Sequence, residues 1–98
     1  MGPTGTRGRI VAVPTISRFY GIVIAMYFDD HGFPHFHARH AGASAKVRFD
    51  QVEVIDSNLG VRQLRLVLAW AELHREELLE NWRRARAGET LVQIEPLR

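Results

Sequence analysis

Ninety-eight residues suit one domain with one core, and 46% hydrophobic with 24% charged residues is an ordinary globular composition. The chain has no cysteine, which excludes disulfides and thiolate metal sites, so any metal would be held by His, Asp or Glu. The formal charge of +2 is too small to argue nucleic-acid binding by itself, although all but one of the thirteen basic residues are Arg, whose planar fork suits phosphate and carboxylate.

Residues 1–12 read as an N-terminal extension with little to bury, and residues 13–98 as a single domain. No apolar leader follows the first residues. The longest apolar stretch, residues 21–28, is too short to span a bilayer, so a cytoplasmic protein is expected. Val13 to Ser17 opens the folded part. Residues 22–28 are β-branched and aromatic on both faces and predict a central strand. Asp29-Asp30-His31-Gly32-Phe33-Pro34 is turn chemistry. Strands follow at residues 35–40, 44–49 and 52–55, with a hairpin turn at His40-Ala41-Gly42-Ala43. In 44–49, Ala45, Val47 and Phe49 alternate with Ser44, Lys46 and Arg48. Such a meander is antiparallel.

From Val61 to Ala87 there is neither Pro nor Gly, and helix formers dominate. Ser57 and Asn58 are candidate N-caps. Leu64, Val67, Leu68, Ala71, Leu78, Leu79, Trp82 and Ala85 share one helical face, and Leu66, Trp70 and Leu73 form a second. An unbroken helix would be about 40 Å long and would place Arg75 in the apolar stripe, so a break is expected near His74. Gly88 is a helix stop, and residues 91–94 a short strand or extended tail. The expected fold is α+β, with a three- to four-stranded antiparallel sheet followed by two helices packed on one face.

Four of the five histidines lie between His31 and His40. Imidazole titrates near neutral pH, ligates metals and shuttles protons. On a strand, His35, His37 and Arg39 share one face, while Phe36, Ala38 and His40 take the other. His31 belongs to the turn. If His74 approached the sheet, His35, His37 and His74, with Glu77 or Asp30, would offer Zn²⁺ or another divalent ion three or four ligands. The plainer alternative is that both strand histidines are half-buried and hydrogen-bonded. A metal-free nuclease is a third option, with His35 and His37 as acid and base and Arg39 facing the phosphoryl charge. Arg18 and Arg48 would add phosphate contacts. Passive RNA or DNA binding would use the same face, with Phe19, Tyr20, Phe33 or Phe36 available to stack unless they belong to the core.

Three separated motifs carry a family resemblance. They are Val13-Pro14-Thr15-Ile16-Ser17-Arg18-Phe19-Tyr20-Gly21-Ile22 with Pro34-His35-Phe36-His37-Ala38, then the run from Trp70 to Trp82, then Ile94-Glu95-Pro96-Leu97. Over residues 13–97 the chain resembles a bacterial family of small proteins catalogued as domain of unknown function 4160. Members begin with Met directly before Pro-Thr-Ile-Ser, the position of Val13 here, so residues 1–12 are expected to be dispensable. The resemblance implies a gene neighbour that encodes another small protein, in a toxin–antitoxin-like arrangement. The expected function is therefore binding of a partner protein or nucleic acid through the His35/His37/Arg39 face. The alternative is a small hydrolase or RNase using His35 and His37.

Overall fold

The computed structural model describes residues 14–28 and 32–98. Five strands, β1 (Thr15–Phe19), β2 (Ile22–Ala25), β3 (His35–His40), β4 (Ala43–Arg48) and β5 (Glu53–Ser57), form one antiparallel meander in chain order. Two helices follow, α1 (Val61–Leu73) and α2 (Arg75–Ala87). The α+β expectation holds, but the sheet has five strands rather than three or four. The additional one is β1, where the sequence predicts only a lead-in. Ile16 is an extra residue between the Thr15–Ala25 and Ser17–Ile24 pairs, so Ile16 and Ser17 are both buried and the alternation that marks a strand is lost. The strand expected over 22–28 ends at Ala25.

Two turns set the register. Tyr20-Gly21 joins β1 to β2 and Ala41-Gly42 joins β3 to β4, all four residues with φ between +49° and +84°. Two-residue turns with both φ values positive match the twist of the strands they join. Tyr20 and Ala41 adopt this conformation without glycine's freedom, which marks how strongly the flanking pairs impose it. His40 folds back against Gly21, where a Cβ would meet its imidazole at 3.4 Å.

Both helices lie on the sheet face that presents Phe36, Ala38, Ala45 and Val47. Trp70 is 5.7 Å from Phe36 at a right angle and 5.5 Å from Phe19, and Trp82 is 6.3 Å from Phe49. The predicted break is at His74, with φ −120° and ψ 26°. Its N–H still donates to the Trp70 carbonyl, and its own carbonyl accepts from Leu78. The change of phase turns Arg75 outward, where it donates to the Asp50 carbonyl at 2.7 Å. Gly88 ends α2 in the left-handed conformation, as expected. Leu73 departs from the reading as a second apolar face: at the last position of α1 it is 70% exposed. The N-cap also differs. Gly60 holds that position without a side-chain bond, because Ser57 accepts from the Leu59 N–H and Asn58 from the Ser44 N–H instead. No helix of the described residues is long and apolar enough to cross a membrane.

The C-terminal segment is extended and strapped beside β1. Ile94 donates to the Ile16 carbonyl, and the Ser17 hydroxyl donates to the Ile94 carbonyl. Trp70 Nε1 donates to the Glu95 carbonyl at 2.8 Å. Asn81, 1% exposed, matches the backbone of Val92 with both ends of its amide, donating to the carbonyl and accepting from the N–H, each at 2.8 Å. Replacing a buried amide that makes two bonds strands its partners. Asn81→Ala is expected to lower unfolding free energy by about 1–3 kcal/mol. It should also speed amide exchange at Ile94 beyond the change at Val47, which lies in the sheet centre and exchanges through global unfolding. Urea denaturation and hydrogen exchange check both.

Candidate functional site

Strand pairing places the residues of the sheet face opposite Phe36 and Ala38 in rows. Arg18, Val23, Arg39 and Ser44 form one row across β1 to β4. Ala25, His37, Lys46 and Asp56 form the next across β2 to β5, and His35, Arg48 and Glu53 the third. Neighbouring strands lie about 4.8 Å apart, so side chains within a row are in reach of one another. His35, His37 and Arg39 thus share one face, as the alternation of β3 predicts, and the pairing adds Arg18 and Arg48 to it.

Aromatic and imidazole rings run along that face. Tyr27 meets His37 edge-on at 4.9 Å, His37 meets His35 at 5.1 Å, and His35 meets Phe33 at 5.6 Å. Two cations then sit over Phe33, the Lys46 ammonium at 5.4 Å from its centroid and the Arg48 guanidinium at 5.1 Å. Both distances fall within the range of cation–π attraction. Arg48 is fixed by a two-pronged bond to Asp50, at 2.6 and 3.0 Å, and Asp50 in turn offers its carbonyl to Arg75. The face is therefore braced from the helix junction through Arg75, Asp50 and Arg48 to Phe33.

The two strand histidines are not equivalent. His35 is 3% exposed, and the Trp82 ring lies 5.3 Å from its own. Its Nδ1 lies 2.9 Å from the Phe33 carbonyl, which can only accept, so Nδ1 is the donor of that bond. His37 is half-buried, with its ring against Tyr27 on one side and His35 on the other. The structure makes His35 the support and His37 the presented ring.

His74 does not join them. It packs on Trp70 at 5.5 Å and pairs through Nδ1 with Glu77 at 2.5 Å, on the helical side of the molecule. Among the described residues no group of three or more His, Asp or Glu is placed to hold a metal ion, so His35, His37 and His74 do not form the predicted metal triad. The physical reason is the sheet itself, since the break that places His74 lies over the opposite face from His37. Asp30 and His31 fall outside the described residues. Of the aromatics considered for stacking, Phe19 and Phe36 are core and Tyr20 lies in a hairpin turn.

Residues 21–83 match the family catalogued as domain of unknown function 4160. The chain belongs to that family. No curated protein and no solved structure matches it. The span that defines the family includes His35, His37, Arg39, Lys46, Arg48 and Asp50, and excludes Arg18 and the C-terminal strap. Sequence reasoning about this family member missed Tyr27, Lys46 and Asp50. The Lys46 signal was present in the alternation of β4; Asp50 and Tyr27 lie beyond the strand ends, where spacing gives no face.

Asp50 offers a measurable consequence. The Arg48 hydrogen bond holds its carboxyl below the usual carboxylate range, against a smaller opposing effect of desolvation. A carboxyl depressed in the folded state adds stability above its unfolded pKa and loses it as pH falls through the folded one. The stability gap between the wild type and Asp50→Asn is therefore expected at neutral pH and should close as pH drops below about 4. Thermal unfolding from pH 7 down to pH ~3 measures it.

Proposed function

We propose that this sheet face binds single-stranded nucleic acid, RNA in the first instance. The observation that carries this reading is the Phe33 ring under Lys46 and Arg48, continued by His35, His37 and Tyr27. Single strands are held by cations that follow the phosphates and by flat rings on which bases stack. Arg18 and Arg39, both exposed at the far row, extend the cationic track across the sheet. Glu53 and Asp56 on β5 place negative charge at one side only, which gives the strand a direction of least repulsion from β4 toward β1.

The hydrolase alternative rests on a narrower observation. His37 presents an imidazole two residues from Arg39, with His35 behind it, bonded through Nδ1 to the Phe33 carbonyl. Such a site would move the proton of a ribose 2′-hydroxyl at His37 while Arg39 faces the phosphoryl oxygens. A single experiment separates the two. Labelled oligouridine is titrated by fluorescence anisotropy and its integrity read on a gel. Binding is expected to weaken by about tenfold in Arg39→Ala/Lys46→Ala. The slope of log K against log salt should fall by about 1.4, at ~0.7 for each phosphate left without its cation. Tyr27→Ala is expected to cost about 1–3 kcal/mol of binding if a base stacks there. An unchanged salt slope rejects the cationic track. Cleavage by the wild type that disappears in His37→Ala, with binding retained, moves the assignment to the hydrolase.

A further inference from the structure

Away from the sheet face, the helix junction carries a local cluster of glutamates. A cleft of about 520 Å³ at the helix junction is lined by Glu72, Leu73, Glu76, Glu77 and Leu79, together with Arg75. A second, of about 250 Å³, lies between α2 and the C-terminal strap, with Glu76, Glu77, Glu80, Val92 and Ile94 on its walls and Asn81 at its base. Glu76 and Glu77 border both, so the two adjoin along α2 and together make a groove rimmed by carboxylates. Its lining includes three large apolar side chains that are exposed, Leu73 at 70%, Val92 at 49% and Leu79 at 39%. Apolar surface gathered beside charged rims marks a surface that another molecule covers.

The rims are acidic, and part of that charge is uncompensated. Glu77 is paired with His74, and Glu80 with Arg83 and Arg84. Glu72 and Glu76 have no ion-pair or hydrogen-bond partner among the described residues. Arg75, on the same lining, keeps its charge but donates to the Asp50 carbonyl rather than to either carboxylate. The groove is also pre-formed, because Asn81 locks Val92 to α2 through two hydrogen bonds. A wall that needs no ordering on binding loses less entropy when a ligand arrives.

We infer that this groove receives a cationic amphipathic segment of a partner protein. Two or three of the segment's apolar side chains cover Leu73, Leu79 and Val92, and its Arg or Lys side chains meet Glu72 and Glu76. Phosphate backbones are repelled by Glu72 and Glu76, which no ion pair offsets, so nucleic acid is not the occupant. A second copy of this chain fits poorly. Pairing unlike surfaces of two copies head to tail would propagate rather than close. The groove and the sheet face use different residues, so neither assignment rests on the other.

The test uses the full-length protein and two fluorescein-labelled helical peptides, one of Leu and Arg, the other of Leu and Glu in the same pattern. The wild type is expected to bind the cationic peptide and not the acidic one. Glu72→Arg/Glu76→Arg should weaken the cationic peptide by about tenfold and create binding of the acidic one, because exposed rim charges govern partner choice. Leu73→Ser should weaken both peptides on their respective hosts. Amide shift mapping on the unmodified protein provides a readout independent of folding in the variants, with perturbations expected at residues 72–80 and 92–95. Equal binding of the cationic peptide to the wild type and the charge-reversed variant would overturn the inference, as would shifts centred on the sheet. Absence of binding up to about 1 mM, an affinity of only ~4 kcal/mol, would do the same. So would a concentration-dependent dimer that the charge reversal dissolves, since it would assign the groove to a second copy.

Discussion

Trp70 meets Phe19 of β1 and Phe36 of β3 with its ring, and the Glu95 carbonyl of the strap with its indole N–H. One turn further, the same ring packs against His74, where the helix breaks. Sheet, helix pair and C-terminal segment are thereby referred to a single side chain that is fully buried. Its ring pairs adopt tilted and perpendicular geometries, which favour the electrostatics of aromatic quadrupoles over face-to-face stacking. With the indole fixed at the core, α1 can lie on only one face of the sheet, and the opposite face is left to residues whose chemistry the core does not use.

That division was legible in the chain where periodicity is regular. The alternation of Phe36 and Ala38 with His35, His37 and Arg39 is the pleat of β3, and the same logic applied to β4 groups Lys46 with Arg48. The helix break was legible from length and from the misfit of Arg75 with the apolar stripe. What escaped was what periodicity cannot encode. The bulge at Ile16 puts two consecutive residues inside and hides β1 as a strand. Ser57 and Asn58 have the chemistry of N-caps, but nearer backbone N–H groups claim them. Tyr27 and Asp50 join the site from loops, where direction depends on tertiary packing. The metal triad failed for a related reason: a helical His can be assigned to a face of its helix, but the side of the sheet it reaches is decided by how the helix docks.

A net charge of +2 averages over local groupings. Arg18, Arg39, Lys46 and Arg48 share the sheet with Glu53 and Asp56, and the two helices carry six Arg and four Glu, with Glu72, Glu76 and Glu77 grouped at the helix junction. Neither side is of one sign, so charge is organised by patch, and each patch sets a local potential that composition averages away.

The two tight hairpins have a consequence for how the sheet face can change. Because side chains alternate with a period of two, sliding β3 by a single residue would bury His35, His37 and Arg39 and turn Phe36 and Ala38 to water. Turns of only two residues, both in the left-handed region, leave no slack to absorb such a slide. An inserted residue at Ala41-Gly42 would have to be expelled as a bulge or invert the face. The side-chain pattern of this face is thus open to exchange one residue at a time and closed to insertion or deletion within the two hairpins.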